Sequence, residues 1–132
     1  MSATTVLVVD DEPLIRWSIG ERLRSEGYEV LEAADARAAV ALFERGPDIV
    51  LLDSKLPDVG CMAVLRNLID RDPHVRVILM TADAGLESTA DALTNSGFPR
   101  ANKPFMLDEI VSLVKRPATE VFPHVSGKLR TA

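Results

Sequence analysis

A single cysteine, Cys61, stands in a chain of 132 residues. It cannot form an internal disulfide, and it excludes a metal site built from several thiolates. Basic residues are outnumbered: 15 Lys and Arg against 20 Asp and Glu leave a net charge of −5. Direct nucleic-acid binding needs a basic footprint and is not expected. No apolar run approaches the ~18 residues of a membrane helix. The opening segment, Met1–Thr5, has neither a basic region nor a long apolar stretch, so no secretory signal is read there. Internal repeats and low-complexity segments are missing. So are the glycine-rich phosphate loop that ends in Gly-Lys-Ser/Thr and the HExxH metal motif. The remainder, 47% hydrophobic and 27% charged, is the composition of one soluble globular domain, expected in the cytoplasm.

Apolar runs punctuate the chain at Val6–Val9, Ile49–Leu52 and Val75–Met80. The first two have no polar member, the pattern of central parallel strands covered on both faces. Pro13 suits a first helical turn, and Leu14, Ile15, Ile19 and Leu23 give an apolar stripe. A helix is therefore expected from Pro13 to Glu26, stopped by Gly27. Tyr28–Ala33 reads as a short strand. Asp35 is placed to cap an alanine-rich helix that ends near Arg45, at the Gly46-Pro47 break. Further helices are expected over Met62–Asp70 (Val64, Leu65 and Leu68 inward), Leu86–Ser96 and Leu107–Arg116 (Ile110, Val111 and Val114 inward). The fifth strand, Arg100–Asn102, is polar for a sheet. Residues 1–116 thus form one domain, and 117–132 a C-terminal tail or linker with Pro117, Pro123 and Gly127. Alternating strands and helices imply an α/β sheet with helices on both faces. Right-handed crossovers bring every strand's C-terminal end to one rim, where ligands bind.

Polar residues collect at that rim. Strand one ends in Asp10 and Asp11, strand three in Asp53, strand four in Thr81, and Lys103 follows strand five. Any one of them alone is an ordinary cap or surface residue; five, each at a strand end, are not. Two carboxylates about 4 Å apart repel by roughly 4 kcal/mol at an effective dielectric near 20. One lysine cannot offset three carboxylates, but a divalent cation can. Oxygen ligands favour Mg²⁺, with Mn²⁺ as the alternative. An acidic pocket carrying such a cation attracts phosphate, and a carboxylate there is a candidate nucleophile toward phosphorus.

With these residues in place the chain resembles a response-regulator receiver domain of bacterial two-component signalling. The matching pieces are VLVVDDEP (Val6–Pro13), IVLLDSKLP (Ile49–Pro57), VILMTA (Val77–Ala82) and KPF (Lys103–Phe105). The resemblance covers about residues 5–116 and implies a flavodoxin-like (βα)5 three-layer sandwich with a parallel sheet in the order 2-1-3-4-5. It implies Asp53 as phosphoacceptor. Asp10, Asp11, Asp53 and the backbone carbonyl of Lys55 would hold Mg²⁺, while Lys103 and Thr81 would contact the phosphoryl group. The implied donor is a sensor histidine kinase, a phosphotransfer protein or a small phosphodonor. The implied listener is a downstream output domain or protein, and a homodimer is among the assemblies the family allows. Phosphorylation adds about −1.5 to −2 charges, and a two-state output face would respond. The domain would promote only its own phosphorylation and dephosphorylation, and so is not an enzyme in the ordinary sense.

The sequence departs from the family pattern at three points. Arg100 occupies the position, three before Lys103, that commonly holds an aromatic switch residue, so the last strand is expected to move less than usual. Gly60 comes one position early in the loop after Asp53. Strand five is polar, so that edge is expected to be loose or completed by a partner. Lys55 and Asp83 are placed to form a pair that screens the attacking water. The alternative function is a non-switching, receiver-like interaction module with atypical coupling at Arg100. A flavin binder is disfavoured because Asp-Asp-Glu-Pro stands where its phosphate loop would be, and a haloacid-type phosphatase because Asp-x-Asp is missing. Sixteen residues follow Arg116, too few for a DNA-binding domain, which leaves a stand-alone receiver or the receiver piece of a longer regulator.

Overall fold

The computed structural model describes residues 3–56, 60–81, 100–102 and 105–116. The expectations for the Leu86–Ser96 helix, Asp83, the Lys103-Pro104 pair and the Pro117–Ala132 tail lie outside them. Five parallel strands, β1 (Thr5–Val9), β2 (Glu29–Ala33), β3 (Ile49–Asp53), β4 (Arg76–Thr81) and β5 (Arg100–Asn102), form one sheet in the order β2-β1-β3-β4-β5. Among the described residues the helices are α1 (Pro13–Ser25), α2 (Ala36–Leu42, continued by a 3₁₀ turn over Phe43–Arg45), α3 (Cys61–Arg71) and a C-terminal helix, Leu107–Val114.

The period of two along a strand divides the core into halves. Val6, Val8, Ile49, Leu51, Ile78 and Met80 face α1 and the C-terminal helix, where they meet Ile19, Leu23, Ile110 and Val114. Leu7, Val9, Val50, Leu52, Val77 and Leu79 face α2 and α3, against Ala39, Phe43, Leu65 and Leu68. This is why Val6–Val9 of β1 and Ile49–Leu52 of β3, all buried, include no polar residue. β5 pairs in parallel with β4 over all three of its residues. The fully buried Ala101 is its contribution to the core, so a strand of little apolar mass is still held by the ladder.

Local chemistry sets the boundaries. α1 ends in a Schellman motif: Gly27 sits at φ 97°, the Tyr28 N–H donates to the Leu23 carbonyl at 3.1 Å, and the Gly27 N–H donates to the Arg24 carbonyl at 3.0 Å. Asp35 caps α2 by accepting from the Ala38 N–H at 2.8 Å. One expectation, that Leu14 shares the covered stripe of α1, is corrected. Leu14 lies 73% exposed, because Ile15, Ile19 and Leu23 repeat every four residues and Leu14 sits about 100° around the helix from Ile15 and about 140° from Ile19. Gly60, the residue preceding α3, has φ −62° and ψ 144°, an extended conformation open to any residue, so the glycine there meets no backbone demand.

Candidate functional site

The sheet register carries the acidic residues to one place. Val9 pairs with Leu52, so Asp10 and Asp53 are the next residues on neighbouring strands. Asp53 in turn pairs with Met80, which puts Thr81 one step further along β4. Asp10, Asp53 and Thr81 are all buried, at 0%, 4% and 4% exposure, while Asp11 is exposed. Carboxylate oxygens of Asp10, Asp11 and Asp53 lie within 4.8 Å of one another.

Backbone donors orient this set. The Glu12 N–H donates to Asp10 Oδ1 at 2.9 Å, and the Lys55 N–H donates to Asp53 Oδ1 at 3.1 Å. Both contacts span two residues, the Asx-turn pattern by which a short acidic side chain holds the loop that follows it. The Ser54 N–H donates to the Met80 carbonyl at 2.8 Å, which ties the start of that loop to β4. Arg16 Nη1 donates to the backbone carbonyl of Asp10 at 2.7 Å.

The donor set fits a small hard cation. An octahedral Mg²⁺ with ligands near 2.1 Å spans about 3 Å between adjacent oxygens and about 4.2 Å between opposite ones. Three carboxylates within 4.8 Å reach that spacing with modest side-chain adjustment. All three are hard oxygen ligands, and their mutual repulsion is what such a cation relieves.

The structure therefore brings together Asp10, Asp11 and Asp53, with Thr81 at the end of the adjoining strand. The Lys55 side chain is exposed, while Lys103 and Asp83 lie outside the described residues. His74 follows α3 and bonds through its N–H to Asp72 at 3.0 Å, at the opposite end of β4 from Thr81. Sequence reasoning missed the contact of Arg16 with Asp10. Its one visible signal is a base five residues past the acidic pair, and many surface arginines share it.

The family model for the response regulator receiver domain matches residues 6–115. The probable transcriptional regulatory protein TcrX of Mycobacterium tuberculosis is 40% identical over 108 residues, 81% of this chain and 46% of that protein. Sporulation initiation phosphotransferase F of Bacillus subtilis is 34% identical over 112 residues, covering 84% of this chain and 90% of the relative. Among solved structures, the response regulator TrrA of Thermotoga maritima, in complex with Mg²⁺ and BeF, superposes with a TM-score of 0.73 at 31% identity, over 86% of this chain and 97% of that one. The chain spans about half the length of the mycobacterial regulators it matches, 46% and 45%.

Proposed function

Because the chain belongs to the response regulator receiver domain family, we propose that Asp53 is the residue that accepts the phosphoryl group, with Asp10, Asp11 and the Lys55 carbonyl completing a Mg²⁺ site. The observation that carries this reading is the convergence of three carboxylates within 4.8 Å at the strand ends. A cluster of that charge density is costly to the fold, and a cation together with an incoming phosphoryl group gives it a use.

In the proposed reaction an Asp53 oxygen attacks phosphorus and forms the new O–P bond. The P–N bond of a phosphohistidine, or the P–O bond of acetyl phosphate, breaks, and its electron pair leaves with the donor. Bound at the rim, the cation supplies charge neutralisation for the phosphoryl oxygens. The Lys55 N–H holds Asp53 Oδ1 and so orients the carboxylate. The Thr81 hydroxyl, from the neighbouring strand, is the proposed hydrogen-bond donor to the phosphoryl group, and Lys103 its proposed counter-charge. The donor is a sensor histidine kinase, a phosphotransfer protein or a small phosphodonor. The listener is an output domain or protein, and residues 117–132 follow the 1–116 domain as tail or linker. The proposed location is the cytoplasm; no helix of the described residues is long and apolar enough to cross a membrane.

Intact mass after incubation with Mg²⁺ and acetyl phosphate tests the proposal. The expected result is a gain of about 80 Da, one phosphoryl group, in the unsubstituted protein and none in Asp53→Ala. A gain retained by Asp53→Ala would move the acceptor elsewhere, and no gain in folded protein would reject phosphoacceptor chemistry.

A further inference from the structure

Asp10 is fixed from three sides. Its N–H donates to the Ala33 carbonyl on β2 at 3.1 Å. Its carboxylate accepts from the Glu12 N–H at 2.9 Å. Its own carbonyl accepts from Arg16 Nη1 at 2.7 Å, a short, charge-assisted contact. The Arg16 N–H also donates to the Glu12 carbonyl at 3.0 Å. The first turn of α1 and the acidic turn before it are therefore closed on each other by one residue, through both its backbone and its side chain.

Arg16 is itself anchored. Its Nε lies 3.4 Å from Glu32 Oε1 on β2. Glu32 Oε2 is taken by Arg24 Nη2 at 3.1 Å, and Arg24 Nη1 meets Glu21 Oε2 at 3.1 Å. The chain Glu21–Arg24–Glu32–Arg16 holds two acids and two bases, so its formal charge is zero. It brings no net positive charge to the rim to compete with a cation; it supplies direction. Exposure falls along it, from 53% and 43% at Glu21 and Arg24 to 28% and 19% at Glu32 and Arg16, so screening by water is weakest next to Asp10. Gly20 gives the network its room: a Cβ there would sit 3.1 Å from Glu32 Oε2 and 3.3 Å from Arg24 Nη1.

We propose that Arg16 is a positioning residue for the acidic pocket. Anchored by Glu32, it pins the Asp10 carbonyl and so fixes the turn from which Asp10 and Asp11 present their carboxylates to the cation. This deepens the phosphoacceptor reading and rests on it. Groups that orient metal ligands typically contribute about 10–100-fold in metal affinity. A contact to the ligand residue's backbone belongs at the low end of that range.

The test is calorimetric titration with Mg²⁺ of the unsubstituted protein, Arg16→Ala, Arg16→Lys and Glu32→Gln, beside the Mg²⁺ dependence of phosphoryl uptake from acetyl phosphate. Arg16→Ala is expected to need about tenfold more Mg²⁺ in both measurements, with uptake at saturating Mg²⁺ largely retained. Arg16→Lys keeps the charge but lacks the planar fork that serves two acceptors, so it is expected to recover the affinity only in part. Glu32→Gln, which loosens the anchor and leaves the Asp10 contact, is expected to lose less than Arg16→Ala. Unchanged Mg²⁺ affinity in Arg16→Ala overturns the proposal, and full recovery by Arg16→Lys overturns it in favour of charge alone. Thermal midpoints in EDTA report folding; if Arg16→Ala does not fold, unchanged affinity in both Arg16→Lys and Glu32→Gln overturns the proposal equally. If the unsubstituted protein neither binds Mg²⁺ nor gains a phosphoryl group at Asp53, the functional reading itself fails. If it does both and the variants match it, only the positioning role fails.

Discussion

Asp10 has its side chain wholly out of solvent yet carries a carboxylate beside two others. On the proposed reading such a group is kept to hold the cation, at the expense of stability. Asp10→Asn keeps an oxygen to accept from the Glu12 N–H and removes one of the three like charges. In EDTA the variant is therefore expected to be more stable by about 1–2 kcal/mol, seen as a thermal midpoint several degrees higher. If Mg²⁺ binds as proposed, it is expected to stabilise the unsubstituted protein, and that stabilisation should be largely lost in the variant. A midpoint that falls in EDTA would mean that the carboxylate is compensated by the surrounding protein rather than held for a cation. Thr81 belongs to the same class of buried polar group, but a hydroxyl carries no charge, so its presence at the rim costs the fold far less.

At the scale of elements, α1 connects the acidic rim to the C-terminal helix. Its first turn touches Asp10 through Arg16. Its last turn reaches the C-terminal helix through Arg22 and Asp108 at 2.6 Å, and through Glu26 and Lys115 at 2.8 Å. The Lys115 ammonium, and then Arg22, hold the Glu26 carboxyl below the usual carboxylate range. Glu26 in return holds Lys115 above the usual lysine range. A depressed carboxyl contributes stability that is present above its unfolded-state value and lost as pH falls through the folded one; a raised lysine contributes stability that is lost as pH rises through its folded value. The bridge therefore operates between the two ranges. Glu26→Gln is expected to lower the thermal midpoint slightly near pH 7, and the difference should close on acidification below the carboxylate range. A difference that persisted at low pH would assign the effect to packing instead. Both ends of α1 were partly legible in the sequence, in Pro13 and Gly27. Its cross-links to Asp10 and Asp108 were not, because a partner six or eighty-six residues away leaves no periodic trace.

For the whole molecule, switching requires strain at the rim to reach a distant face. β4 carries Thr81 at its end and pairs with β5 at Leu79↔Arg100, Met80↔Ala101 and Thr81↔Asn102, so the two strands share a ladder. Ala101 is fully buried and small, and Arg100 stands where receivers commonly place an aromatic. Addition of beryllofluoride and Mg²⁺ is expected to shift the amide resonances of Ser54, Lys55 and Thr81 strongly and those of Arg100 and Ala101 weakly. Large shifts at Arg100 and Ala101 would show that β5 moves without an aromatic at that position.

Much of this was written in local sequence. Runs without a polar residue become central strands because a parallel sheet is covered on both faces, and a strand that meets water on neither side has no place for polarity. Gly27 and Asp35 marked helix ends because positive φ and side-chain capping are properties of one or two residues. The convergence of Asp10, Asp11 and Asp53 was also legible, since parallel strands joined by right-handed crossovers must end on the same rim. Only the tertiary structure decided which apolar residues of α1 are covered, leaving Leu14 in solvent, and that a three-residue polar strand still pairs with β4. It alone joined Arg16 and Glu32 beneath the acidic turn. Periodicity and capping are fixed by neighbours in the chain, whereas an ion pair between a helix and a strand is fixed by the distance at which the core sets them.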